Sequence, residues 1–229
     1  MRLCAFFFIG AALLAGGDGR IESHYSKRDY GLTANPEARH WKKVKGIVAS
    51  NDGFGAPVKN HDTEVRSLWT DKNLYLLFIC PYEALNLKPQ PSTTKETNKL
   101  WDWDVAEAFI GTDFERIRHY REFQVSPQGE WVDLDIDRDH PLPEGGWMWN
   151  SGFTVKARLD EAKKIWYGEM KIPMAGIDTR KPRAGNEMRI NFYRIQGPGP
   201  KRVGIAWQKT GAASYHVPEA FGTLVLAPK

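Results

Sequence analysis

The chain has 229 residues, with 32 Lys and Arg against 28 Asp and Glu and a formal charge of +4. Both signs are interspersed, which excludes the concentrated basic footprint of a nucleic-acid binder. The chain contains only Cys4 and Cys80. With Cys4 inside the leader described next, an internal disulfide and a cysteine metal site are excluded from the mature part.

Met1-Arg2 is a short positive region, 3–14 is almost unbroken apolar sequence, and Ala15-Gly16-Gly17 supplies small residues. That order predicts a secretory signal peptide over 1–17, too short to span a bilayer as a stable helix. The expected location is extracytoplasmic, secreted or periplasmic, with no stable membrane insertion after cleavage. Residues 18–35 are polar and read as a flexible leader. Over 36–44, Asn35 as N-cap and Pro36 at the first position predict one short helix, with Trp41 packed inward.

Helical periodicity then nearly vanishes. Strand signals cover 63–70, 74–80, 105–110, 120–125, 131–136, 153–159, 164–172, 188–195, 204–209 and 222–226. Turn residues fall between them, including Asp71-Lys72-Asn73 and Ser126-Pro127-Gln128-Gly129. Strands about ten residues apart predict an all-β, antiparallel β-sandwich of jelly-roll or immunoglobulin-like type, one domain over 36–229. Cys80, at the end of the most apolar run, reads as a buried small hydrophobe.

Five segments occur in a familiar order. They are Ser67-Leu68-Trp69-Thr70-Asp71 with Leu74-Tyr75-Leu76; Trp101-Asp102-Trp103-Asp104-Val105-Ala106-Glu107; Tyr120-Arg121-Glu122-Phe123-Gln124; Trp166-Tyr167-Gly168-Glu169-Met170; and His216-Val217-Pro218-Glu219-Ala220-Phe221-Gly222. Together they resemble the family 9 carbohydrate-binding modules over nearly the whole mature chain. The resemblance implies a non-catalytic β-sandwich that recognises oligo- or polysaccharide, associated with polysaccharide catabolism and a glycoside hydrolase partner, and carrying structural calcium. It implies that Trp101 supplies one stacking ring and Glu107 a carboxylate for sugar hydroxyls. Tyr215 stands where the family's type has a second Trp, and Gln124 where it has an Arg.

The residues themselves carry further expectations. Nine Trp exceed what a core of this size needs, and Trp is seldom fully buried, so some rings should face a ligand. Trp101 and Trp103, two apart, would share a face on a strand and offer flat rings to a pyranose, or else serve as core and edge seal. Glu107 reads as a sugar-binding acid or as a buried partner of an Arg such as Arg194. Arg194 itself suits a carboxylate or a sugar diol.

The run 131–137 alternates strictly, which sends Val132, Leu134 and Ile136 to the core. Asp133, Asp135 and Asp137 then form a solvated face or a calcium site. Gly145-Gly146-Trp147-Met148-Trp149-Asn150 reads as a lid, a second platform or a plug. No nucleophile elbow, HExxH or P-loop occurs, so an enzyme is not expected. Three alternatives to sugar binding stay open. They are an interaction sandwich without a sugar site, a glycoside hydrolase using a pair such as Glu107 and Asp133, and a haem-binding sandwich using His140, Met148, Met170, Met174 or Met188.

Overall fold

The structure, a computed structural model, describes residues 19–229, so the expected signal peptide lies outside the described residues. It is all-β. The strands are β1 (Arg20–Tyr25), β2 (Ile47–Ala49), β3 (Thr63–Trp69), β4 (Asn73–Pro81), β5 (Val105–Gly111), β6 (His119–Val125), β7 (Trp131–Asp137), β8 (Thr154–Asp160), β9 (Ile165–Pro173), β10 (Glu187–Gln196), β11 (Val203–Ala206) and β12 (Gly222–Leu226). From β3 onward they match the expected segments to within a residue at each end, except that β11 stops early, at Ala206. Alternation and turn chemistry were sufficient signals there because each strand has a well-packed face.

Instead of two separate sheets, the strands form one path, β7-β6-β5-β10-β12-β1-β3-β4-β9-β8, with β11 beside β10 and β2 beside β3. The path bends through β1. Arg20 to Ser23 pair in parallel with Thr223 to Leu226 of β12, and His24 and Tyr25 pair with Leu68 and Trp69 of β3. The segment read as a flexible leader is therefore a central strand. Its signal is weak because only Ile21 is a strong apolar residue. The other buried side chain is Ser23, whose hydroxyl accepts a 2.8 Å hydrogen bond from Ser67.

The expected helix over 36–44 is a run of turns. Ala38 N bonds Asn35 O, Trp41 N bonds Ala38 O and Val44 N bonds Trp41 O, each at three-residue spacing, and Lys42 N to Ala38 O adds one helical bond. Tertiary contacts hold this segment instead. Buried Glu169 of β9 accepts from Thr33 N at 2.6 Å, Ala34 N at 2.7 Å and the Trp41 indole at 2.8 Å.

The main core lies between the two halves of the bent sheet and includes Val65, Trp69, Leu76, Phe78, Ala108, Phe123, Val125, Trp166 and Phe192. Strand β5 is buried along its whole length because its other face carries a second cluster. Phe109, Tyr120, Val132, Leu134, Ile136 and Tyr193 form that cluster on the outer face of β5, β6, β7 and β10.

The alternation in β7 buries Val132, Leu134 and Ile136 as expected, in the second cluster and not the main core, and leaves Asp135 and Asp137 partly exposed. Asp133 sits opposite core residue Phe123 and is fully buried. Among the described residues, no helix is long and apolar enough to cross a membrane.

Candidate functional site

The outer cluster is the floor of a cleft of about 560 Å³. Glu107 and Phe109 of β5, Glu122 of β6, Leu134 and Ile136 of β7 and Ile195 of β10 line the bottom. Loops build the walls, bringing Trp101, Trp147, Phe54 and Tyr215 around the same space. An apolar, aromatic cleft with a few converging polar groups is the usual form of a small-ligand site.

Trp101 stands in a short 3-10 turn, Leu100–Asp102, anchored by fully buried Leu100. Its indole N–H reaches Glu144 Oε1 at 3.4 Å, which ties the ring to the loop after β7. Because this segment is a turn and not a strand, Trp103 does not share the face of Trp101 and does not line the cleft.

Tyr215 lies parallel to Tyr193, with ring centroids 4.2 Å apart and an interplanar angle of 8°. One of its faces is therefore committed to the protein. Gly204 of β11 makes this position available, since a Cβ there would lie 1.9 Å from the Tyr215 hydroxyl oxygen.

On the floor, Glu107 faces Gln124 across the β5–β6 ladder. Gln124 Nε2 donates to Glu107 Oε1 at 3.1 Å and to Glu122 Oε1. All three residues are buried. Burial and the neighbouring Glu122 raise the Glu107 carboxyl well above the usual range, opposed by Arg202. Burial pushes Glu122 up to about 8, against the Gln124 hydrogen bond. Gln124 thus supports the floor and does not itself line the cleft. His216, against Phe109 at 5.2 Å, is lowered to about 4 by burial, with Arg138 adding to the effect. It is neutral near pH 7, and its Nδ1 shares a 2.7 Å hydrogen bond with the Tyr120 hydroxyl.

Arg194 is not in the cleft. It pairs with Ala106, not Glu107, so its side chain enters the opposite face. There it is 1% exposed, donates to Pro81 O at 2.7 Å, Thr63 Oγ1 at 3.2 Å and Gln196 Oε1, and lies over the Trp166 ring. The cation of the cleft is Arg202, which sequence reasoning missed. Its Nη2 donates to the carbonyls of Trp101 and Trp103, and its buried Nη1 has no partner.

Glu122 was also missed as a site residue, while Trp147 comes from the loop read as a lid, platform or plug. Glu122 had a usable signal: it lies two residues before Gln124 on one strand, so the two share a face. The glycine-flanked loop divides its two tryptophans. Trp147 lines the cleft, whereas Trp149 packs on the main core beneath Arg121, 4.8 Å from its ring.

The acids of β7 are not gathered at one point, though Asp133 Oδ1 is buried without a partner. Asp133 accepts from Ser151 N at 2.6 Å, Asp135 is held by His119 at 2.7 Å and by Arg121, and Asp137 by His140 at 2.9 Å and Arg116 at 3.5 Å. Each is engaged separately, and among the described residues no group of three or more His, Cys, Asp or Glu is placed to hold a metal ion. Of the residues considered for haem, Met170, Met174 and Met188 are core side chains, Met148 is exposed and His140 is paired with Asp137.

A family model described as carbohydrate family 9 binding domain-like matches residues 36–229. The chain belongs to this family. A relative named "Extracellular protein" from Arthroderma benhamiae is 28% identical over 71% of this chain and 78% of its own length. Endo-1,4-beta-xylanase A of Thermotoga neapolitana is 24% identical over 81% of this chain, which spans only 16% of that enzyme. Among solved structures, a family 9 carbohydrate-binding module from Caldicellulosiruptor kristjanssonii, in complex with cellotriose, aligns over 92% of this chain and 94% of its own. The TM-score is 0.65 at 17% identity, a likeness of fold. The same module in complex with glucose gives 0.64.

Proposed function

We propose that this protein is an exported, non-catalytic carbohydrate-binding module whose cleft holds a sugar ring between Trp101 and Tyr215. The observation that carries this reading is the convergence of those two rings on buried Glu107 and Glu122, from segments far apart in the chain. The apolar face of a pyranose suits the indole of Trp101 and the free face of Tyr215. Its hydroxyls suit Glu107, Glu122 and the unpartnered Nη1 of Arg202. A family whose solved members are seen with cellotriose and glucose supports a β-glucan-like oligosaccharide as the first ligand to try. The similarity to part of a xylanase supports a role beside polysaccharide hydrolases. The leader over 1–17 and the extracellular relative support action outside the cytoplasm.

The test is titration of the purified protein with a panel of oligosaccharides, read by Trp fluorescence. A saturable response is expected. Trp101→Ala that still folds should lose about 2 kcal/mol or more of binding, the scale of an aromatic anchor. A folded protein that answers no glycan would instead be an interaction sandwich.

A further inference from the structure

The acids lining the cleft outnumber its bases. Asp52, Glu107, Glu122 and Glu144 line it against a single permanent cation, Arg202. The two rim acids are already engaged. Glu144 pairs with Lys99 at 3.1 Å, and Asp52 Oδ1 accepts the amides of Phe54 and Ala56 at 2.9 Å. Arg202 acts on Glu107. Glu122 is left over. It is 3% exposed, its Oε1 accepts only from the neutral amide of Gln124, and its Oε2 has no partner.

Next to the lining, Tyr120, Tyr193 and His216 are neutral near pH 7, since burial raises both phenols and lowers the imidazole, and the permanent cation Arg138, outside the lining, acts on Tyr120 and His216. Glu122 shares the cleft lining with the rings of Trp101, Trp147, Phe109 and Tyr215. Ring faces attract cations and do little for anions. A buried carboxylate inside an aromatic enclosure is the recognition pattern for an ammonium group.

We propose that the cleft prefers a sugar bearing a free ammonium group, an unacetylated hexosamine residue, whose nitrogen pairs with Glu122. The proposal rests on the sugar-binding reading above and narrows its ligand class. It carries a proton balance. In the empty cleft at pH 5.5, below the range in which a hexosamine amine titrates, Glu122 holds its proton and the free ligand is already an ammonium. On binding, the carboxyl O–H bond breaks, the proton leaves to solvent, and the carboxylate accepts hydrogen bonds from an ammonium that keeps all its protons.

The experiment is calorimetric titration of the whole protein at pH 5.5 with three trimers: β-1,4-linked glucosamine, its fully N-acetylated form, and cellotriose. Each is measured in two buffers of different ionisation heat. A charge-assisted pair predicts that the glucosamine trimer binds about tenfold or more tighter than the other two, with net proton release. Glu122→Gln should bring the ratio of glucosamine-trimer to cellotriose affinity close to one.

Cellotriose binding as tightly as the glucosamine trimer overturns this proposal and leaves the sugar-binding reading standing. Tighter amine binding without proton release assigns the charge to the rim acids and also overturns it. Binding of none of the three, nor of any glycan in the wider panel, removes both. Should Glu122→Gln fail to fold, the wild-type ratio and proton count still decide.

Discussion

At Gly204 the backbone of β11 passes so close to Tyr215 that any side chain must push the ring away. Gly204→Ala should therefore cost stability, by about 1–3 kcal/mol as overpacking does, and weaken sugar binding by moving one wall of the cleft. A thermal melt and a titration on the same variant check both effects. An unchanged affinity would show that Tyr215 is not a wall the ligand uses.

The floor acids make stability depend on pH. A carboxyl whose pKa is raised by folding stabilises the native state most below its unfolded value, and that contribution is lost as pH rises through the folded value. For Glu122 the window runs from the usual carboxylate range to about 8. His216 has the opposite sign: its contribution is present above the ordinary imidazole range and is lost as pH falls toward about 4. Glu122→Gln cannot ionise, so its melting temperature relative to wild type should climb between pH 5 and pH 8. A difference that stays flat would mean Glu122 is not forced to ionise in a buried site. Trp101, Glu107 and Tyr215 were legible in the sequence because their motifs are local. Arg202 was not, because its role depends on reaching the carbonyls of Trp101 and Trp103 across the fold.

Among the elements, the segment before β2 and the loop after β7 have little regular structure of their own and rely on tertiary contacts. Glu169 holds the first by satisfying two backbone N–H groups and the Trp41 indole. Glu169→Ala leaves those donors buried without acceptors, at about 1–3 kcal/mol for each. It should release residues 30–41 to faster amide exchange while the ladder of β4 and β9 stays protected. Uniform exchange across the molecule would show that this segment is held by packing alone.

The loop after β7 is held by backbone bonds to its neighbour, Asp135 N to Trp147 O and Trp149 N to Asp133 O. Met148 bridges Leu134 at the sheet edge, but the loop does not continue as a strand: Trp147 lines the cleft and Trp149 packs on the core, whereas an extended run would put both on one face. The expected helix over 36–44 failed for a related reason: its capping signal was real, since Asn35 Oδ1 accepts Glu37 N at 3.0 Å, but three-residue turns let Trp41 reach Glu169.

For the molecule as a whole, β1 is the strand on which closure depends. It pairs with β12 through one half and with β3 through the other, so its removal opens an edge in each half of the sheet. A variant beginning at Ser26 should lose cooperative thermal unfolding or aggregate. A sharp melt at the wild-type temperature would show that the halves hold together through side-chain packing alone.

The sequence by itself determined the all-β class and the strands from β3 to β12. Through the family resemblance it also singled out Trp101, Glu107 and Tyr215, which line one cleft. These follow from alternation, turn residues and short motifs, which are properties of neighbours in the chain. Tertiary structure alone decided that a polar N-terminal stretch is a central strand and which of the two clusters each face of β7 joins. It also decided that Arg194 serves packing while Arg202 and Glu122 face the cleft. A strand's period tells which residues share a face, but only the packed neighbours decide which face is buried and what it is buried against.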